Sequence, residues 1–192
     1  MEKILPFLIH TLSMSAEEFE KRFPHPFLIT SKSKLRLLYN KGKVTSLHTY
    51  NKFATAYAEP QHIRIEEEWL RQGWVIPVVS SKASFAQMIT IGRTSNNDIV
   101  IPLPMISKLH ACILVENSLE KKQQQQAFLM DGGSTNGTYL NGQRIVSHVK
   151  ISLKNGYLLR FGQILEFEFY FSSDFYKNLP LFRQIVGIKT SQ

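Results

Sequence analysis

The chain has 192 residues, 43% of them hydrophobic and 20% charged, with a net charge of +8, which suits one or two globular domains rather than a disordered segment. No apolar run approaches the roughly 20 residues of a membrane-spanning helix, and a lone cysteine, Cys112, permits neither an intramolecular disulfide nor an all-cysteine metal site. Collagen-like, disulfide-scaffold and integral-membrane classes are thereby excluded, while the basic balance favours an anionic partner such as nucleic acid, acidic lipid or a phosphoprotein.

Lys3 followed by the apolar run Ile4 to Ile9 has some features of a secretory start, with Ser13-Met14-Ser15 as a small-residue stretch. The run is short and is interrupted by Pro6 and His10, so secretion is not the expectation. A single cysteine fits a reducing cytoplasm. Ser15-Ala16-Glu17-Glu18 is a capping box, flanked by Met14 and Phe19 at staple positions. It starts a short helix that Pro24 stops. Phe27 to Thr30 and Leu35 to Tyr39 read as strands, Asn40 to Lys43 as a turn, and Val44 to Tyr50 as the returning strand. The densest basic stretch, Lys32, Lys34, Arg36, Lys41 and Lys43, lies here and reads as a solvated strand face. Past Pro60, Glu66 to Glu68 place negative charge near the start of a helix carrying Trp69 and Leu70, which Gly73 closes.

From Trp74 the texture changes to short β-favouring runs: Val75 to Val79, Met88 to Ile91, Asp98 to Ile101, His110 to Val115, Ala127 to Met130, Tyr157 to Phe161 and Ile164 to Phe171. Asn136-Gly137, Asn141-Gly142 and Asn155-Gly156 supply the positive φ angles of tight turns. Many short strands with frequent turns argue a mainly β sandwich or barrel. Leu165, Phe167, Phe169 and Phe171 alternate with Glu166, Glu168 and Tyr170, a pattern that buries one face. Gln123 to Gln126 reads as a polar loop. The stretch after Ser172 contains Pro180 and receives no element.

Four groups carry the candidate chemistry: Gly92-Arg93, Ser107-Lys108-Leu109-His110, Gly133-Ser134-Thr135-Asn136-Gly137-Thr138, and Asn141-Gly142. Each alone is weak. Asp131-Gly132-Gly133 lacks the ladder of a calcium loop. Gly132 to Gly137 has P-loop spacing, but Thr138 stands where the lysine is needed. Ser107 and His110 could be half of a hydrolase site, yet no carboxylate at a suggestive position orients the histidine.

Together, in this order, with Asn96-Asn97-Asp98-Ile99-Val100-Ile101 after the arginine and Leu153 to Gly156 later, the groups resemble a forkhead-associated (FHA) domain over residues 75–172. The resemblance implies an FHA-like β-sandwich of two twisted sheets with a phosphopeptide site in the loops at one end. Residues 1–73 are left as a small α+β N-terminal extension of no assigned family, 74–172 as the phosphopeptide-binding domain, and 173–192 as a C-terminal tail. Fewer than 75 residues fold alone only marginally, so the extension is expected to pack on the sandwich.

The resemblance also implies binding to phosphothreonine, a group with roughly −1.5 to −2 charges and strong acceptor oxygens. The residue chemistry suits it. Arg93 offers a planar, permanently charged fork, Ser107 a hydroxyl and a backbone N–H, Lys108 a second cation, Thr135 a further donor, and Asn136 an amide able to hold peptide main chain. Gly92, His110, Ser134 and Gly137 are assigned to structural support, His110 as a buried scaffold residue. The plain alternatives are a strand-end charge for Arg93, a turn hydroxyl for Ser107 and an ordinary exposed lysine for Lys108. Cys112 reads as core and Asn141-Gly142 as a hairpin turn.

The expected function is a non-enzymatic, phosphothreonine-dependent interaction module, an adaptor or regulator in a Ser/Thr kinase pathway, with no cofactor and no metal. The alternative is phosphate-independent assembly on the same scaffold. Nucleic-acid binding through Lys32 to Lys43 lacks a supporting motif, and no paired carboxylates or metal-ligand cluster argue for an enzyme.

Overall fold

A computed structural model describes residues 1–31, 73–80, 87–116, 125–163 and 165–185 of the chain. The strands read over 35–39 and 44–50, the turn between them, the basic stretch from Lys32 to Lys43, the helix around Glu66 to Glu68 and the first half of the glutamine tract lie outside these residues.

Two sheets form the sandwich. One has seven strands in the order β1-β3-β2-β12-β11-β8-β9 and the other five in the order β10-β7-β6-β4-β5. The larger sheet comprises β1 (Glu2–Lys3), β2 (Phe27–Thr30), β3 (Trp74–Pro77), β8 (Thr138–Leu140), β9 (Gln143–Arg144), β11 (Tyr157–Phe161) and β12 (Leu165–Tyr170). The smaller comprises β4 (Met88–Gly92), β5 (Ile99–Val100), β6 (Ala111–Glu116), β7 (Gln126–Asp131) and β10 (Ile151–Ser152). Ile89, Ile91, Ile113 and Leu129 from the small sheet meet Leu28, Ile76, Leu159, Phe161, Phe167 and Phe169 from the large one. This is the alternate-residue burial that two facing sheets require.

The large sheet is covered on both sides. Helices α1 (Ile4–His10), α2 (Ala16–Arg22) and α3 (Ser172–Ile185) form a third layer on its outer face. β2 therefore buries all four of its residues. Leu28 points into the sandwich, while Phe27 and Ile29 join Ile4, Phe7, Leu8, Phe19, Phe175 and Leu179 in a second, helix-side core. Phe27 stacks on Phe175 with ring centroids 4.6 Å apart. β12 follows the same rule, and its one-sided reading is corrected. Phe167 and Phe169 face the sandwich, but Tyr170 packs in the helix-side core and Glu166 is buried. The alternation of charge suggested a solvated face, and at Tyr170 the helical layer covers that face instead.

The capping box forms as read: Glu18 N–H donates to Ser15 Oγ at 3.2 Å and Ser15 N–H to Glu18 Oε2 at 2.8 Å. Pro6 does not interrupt α1, because it sits in the first turn, where an N–H has no helical partner. The stretch after Phe171 is helix despite Pro180. Its start is tied to the sandwich by Asn155, which accepts from Phe171 N–H and donates to Asp174, both at 2.7 Å. No helix among the described residues is long and apolar enough to cross a membrane.

Candidate functional site

Three connections meet at one end of the sandwich: the turn after β4, the 101–110 link into β6, and the 132–137 link from β7 to β8. Arg93, Ser107, Lys108, Thr135 and Asn136 line one open cavity of about 430 Å³ there, with Pro104, Met105, Ile106 and Leu109. Sequence positions up to 43 apart are thus brought onto a single surface, and no carboxylate among the described residues lines it. A larger cleft of about 730 Å³ opens where the helical layer meets the sandwich. Its lining includes Glu20 and Asp174, whose charge opposes an anionic ligand.

Hydrogen bonds hold each loop from behind. Arg93 N–H donates to the Ser107 carbonyl at 2.9 Å, and Arg93 Nε–H to the Ile106 carbonyl at 3.1 Å. These bonds fix the stem of the guanidinium and leave its two terminal nitrogens without a hydrogen bond among the described residues. Asn97 Nδ2 donates to the carbonyls of Lys108 (2.7 Å) and Thr94 (2.8 Å), clamping the first two loops together. That clamp passes over Gly92, where a Cβ would stand 2.2 Å from the Lys108 carbonyl oxygen. Only glycine permits the approach.

His110 is fully buried and joins the second loop to the third. Ser107 N–H donates to its Nδ1 at 3.1 Å, and its Nε2 lies 3.2 Å from the Gly137 carbonyl. A backbone N–H can only donate, so Nδ1 is the acceptor and the ring proton sits on Nε2. Burial lowers the pKa of the ring, against smaller opposing effects of the Gly137 carbonyl and the Asp131 charge. The neutral ring faces one amide N–H and one carbonyl, not the Ser107 hydroxyl, so the pair is no nucleophile and base.

Asp131 organises the third loop. Its carboxylate accepts from the N–H groups of Gly133 (2.9 Å) and Ser134 (3.0 Å) and the hydroxyls of Ser134 (2.6 Å), Thr138 (2.6 Å) and Ser147 (2.7 Å). Burial would raise its pKa, but the bonds from Ser134, Thr138 and Ser147 outweigh this and hold it at about 2. Gly133 and Gly137 turn the loop with φ of +79° and +77°. Thr135 N–H then donates to Ser107 Oγ at 3.1 Å, which leaves the Ser107 hydroxyl proton free to point outward. Asn136 Nδ2 donates to the Met105 carbonyl at 2.8 Å, so one amide proton is used internally and the carbonyl end remains available.

Sequence reading assigned no role to Asp131 beyond a rejected calcium loop, and none to Asn97 and Ser147 individually. An Asp followed by Ser at the third position is the local signature of an Asx turn, and that signal points to Asp131. Ser147 carries no comparable signal. Asn141 and Gly142 form the two-residue turn between β8 and β9, with φ of 49° and 86°, as a mirror-image hairpin turn demands.

The FHA domain model matches residues 89–162. The chain is 32% identical over 104 residues to the probable serine/threonine-protein kinase fhkA of Dictyostelium discoideum, covering 52% of this chain and 18% of the kinase. It is 36% identical over 85 residues to the DNA damage response protein kinase DUN1 of Saccharomyces cerevisiae, covering 44% of this chain and 16% of that kinase. The chain thus spans less than a fifth of either relative. Among solved structures, the yeast Dun1 FHA domain in complex with a doubly phosphorylated peptide is similar at 28% identity and a TM-score of 0.45, over 54% of this chain and 69% of that one. The motif order, the fold and the family match converge on residues 89–162: this stretch of the chain is an FHA domain.

Proposed function

We propose that the chain is a phosphothreonine-dependent, non-enzymatic interaction module that acts as an adaptor or regulator in Ser/Thr kinase signalling in the cytoplasm. The observation that carries this reading is the convergence of two cations, Arg93 and Lys108, that make no ion pair among the described residues, with the Ser107 hydroxyl and the Thr135 side chain around one cavity that no described acid lines. A doubly charged phosphate needs cationic and neutral donors held in advance, and the bonds through His110, Asn97 and Asp131 supply the rigidity. Asn136 holds peptide main chain beside the phosphothreonine. Residues 1–31 act as an integral brace of the sandwich.

The test is fluorescence anisotropy of phosphothreonine peptides on the 192-residue protein, beside unphosphorylated counterparts and an Arg93→Ala variant. Since a charge-assisted hydrogen bond nets about 1.5–3 kcal/mol, the variant should bind about tenfold to a few hundredfold more weakly. Binding indifferent to the phosphate would sink the reading and favour phosphate-independent assembly.

A further inference from the structure

Phe7 of α1, Phe23 and Phe27 surround another cavity, of about 410 Å³, on the outer face of the larger sheet. Val75 and Pro77 of β3 complete its apolar wall. The three rings pack on one another, with centroids 5.5 Å apart for Phe7 and Phe23, 5.7 Å for Phe7 and Phe27, and 5.9 Å for Phe23 and Phe27. Phe7, Phe27 and Val75 belong to the helix-side core, so the wall is fixed by packing before any ligand arrives. The cavity lies far from Arg93. Phe27 stands opposite Pro77 and Tyr170 in the sheet register. Thr138, which follows the third loop of the Arg93 cavity, stands opposite Phe161, and Phe161 opposite Leu165. Leu165 and Tyr170 are the two ends of β12, about 17 Å apart along the strand. The two cavities therefore open at opposite ends of the sandwich, and every residue of this one lies outside the 89–162 family match.

The polar side chains on the lining are Glu2, Arg22 and His25. Glu2 belongs to β1, and Arg22 ends α2. Opposite charges thus line one cavity, yet neither is in an ion pair among the described residues, with the other or with a third group. The Arg22 guanidinium instead lies 5.8 Å from the centroid of the Phe23 ring. His25 is half-buried, and its Nε2 is closed off from solvent with no hydrogen-bond partner among the described residues. Buried polar atoms in native proteins are nearly always paired, so such an atom asks for a partner. The ring neighbours of His25 are Phe23 and Phe27, the same aromatic wall. Burial lowers its pKa, so the ring is neutral at pH 7 and can donate or accept.

We infer that this cavity binds a small zwitterion with an apolar body, a free amino acid of the phenylalanine or leucine kind. The apolar side chain fills the space between the phenylalanines and Val75, the carboxylate meets Arg22, and the ammonium meets Glu2. The His25 ring, turning about its Cβ–Cγ bond toward these head groups, gains the partner that Nε2 lacks. A ligand with one charge leaves Glu2 or Arg22 unanswered, and an uncharged apolar one leaves both. The volume lies in the range of small-ligand pockets, roughly 300–1,000 Å³. Such a ligand ties β1, α2 and β3 together and stabilises the native state alone. The site is independent of the phosphothreonine reading.

The probes are L-phenylalanine and L-leucine, beside glycine, which lacks the apolar body, phenylpropionate, which lacks the ammonium, and phenethylamine, which lacks the carboxylate. Each is titrated by calorimetry into the full chain, Arg22→Gln and Glu2→Gln. Arg22 is exposed and Glu2 half-buried, and neither is in an ion pair among the described residues, so both variants should melt close to the parent. Phenylalanine and leucine should bind with a dissociation constant of about a millimolar or tighter, raise the melting temperature, and shift the NMR signals of the His25 ring and the Val75 methyls. Phenylpropionate and phenethylamine should bind about three- to tenfold more weakly, and glycine should give no measurable binding. Arg22→Gln should weaken phenylalanine to the same extent and leave phenethylamine unchanged. Glu2→Gln should also weaken phenylalanine and leave phenylpropionate unchanged. The proposal is overturned by the absence of saturable binding of phenylalanine and leucine at about ten times that constant. It is equally overturned by affinities indifferent to the head groups or to both substitutions, or by shifts that spare His25 and Val75.

Discussion

The backbone N–H of Ser107 donates to Nδ1 of His110, three residues on, and through that bond the position of a solvent-facing loop depends on the protonation of a buried ring. Protonating Nδ1 would set two N–H groups against each other. Burial depresses the folded-state pKa below the ordinary 6.5. The unfolded chain then takes up the proton first, so the stabilisation is complete above about pH 6.5 and is lost as pH falls through the folded pKa. Nitrogen-15 NMR of the imidazole should show the Nε2–H tautomer at pH 7 and no titration of this ring until clearly below pH 6.5. A protonated or Nδ1–H ring at neutral pH would contradict the assignment. His110→Ala should lower both the melting temperature and phosphopeptide affinity, although His110 does not line the cavity.

Asp131 should dominate acid sensitivity at lower pH. Its folded pKa of about 2 lies below the ordinary 3.8. Its contribution is therefore full above about pH 4 and disappears as pH falls towards 2, on the order of 2–3 kcal/mol in all. Asp131→Asn removes the charge and one acceptor oxygen: with its Oδ1 kept toward the Gly133 and Ser134 N–H groups, its NH2 faces the Ser134 and Thr138 hydroxyls, which must turn from donating to accepting. It should cost about 2–4 kcal/mol by denaturant titration and remove the parent's stability change between pH 4 and 2. A variant that keeps the parent's acid profile would exclude Asp131 as its source.

The sandwich was legible because its longer strands announce themselves. β11 and the Phe27 to Thr30 strand have the bounds read from sequence, and the other long strands shift by a residue or two at each end. The strands left unread, β1, β8, β9 and β10, have two, three, two and two residues. No hydrophobic period can show in so few positions; pairing to a longer neighbour makes them strands. The helical layer was hidden for a different reason. Its core mixes α1, α2, α3 and one face of β2, and contacts between the two ends of a chain leave no local pattern. Motif order brought out the side chains that line the cavity, and the Asp-Ser spacing could have brought out Asp131, whereas Ser147, which also hydrogen-bonds to that carboxylate, stands 16 residues away, beyond the reach of local spacing.

Gly92→Ala should be a severe change for one methyl group. The added carbon would stand 2.2 Å from the Lys108 carbonyl oxygen and 2.7 Å from Asn97 Nδ2. Backbone must move, and the Asn97 clamp on the Lys108 carbonyl must open. The expected cost is about 2–4 kcal/mol, with local amide shifts at Lys108 and Ser107 and weaker phosphopeptide binding. Asn97→Ala, which removes the clamp and leaves Gly92 in place, should weaken binding with a smaller loss of stability. If Gly92→Ala melts like the parent, the close approach of the two loops is not a constraint on the fold.

Removing residues 1–73 should break the larger sheet rather than trim it. β2 lies between β3 and β12, with Leu28 opposite both Ile76 and Phe169. Without residues 1–73, β12 becomes an exposed edge and β3 loses both its neighbours, β1 and β2. The same cut takes away α1 and α2, which uncovers Val75, Tyr170, Phe175 and Phe182, now packed against Phe7, Phe19 and Phe27. An apolar face beside an unpaired strand edge is a template for association. A fragment of residues 74–192 should therefore aggregate, or elute as concentration-dependent oligomers in light-scattering chromatography, and bind a dye that reports exposed apolar surface. Restoring residues 1–31 as a separate peptide should recover part of its solubility, because that segment supplies β2 and both helices. A monomeric 74–192 fragment with the parent's melting temperature would show that the helical layer is dispensable, and that the residues around the Arg93 cavity are braced by the smaller sheet and its own strands alone.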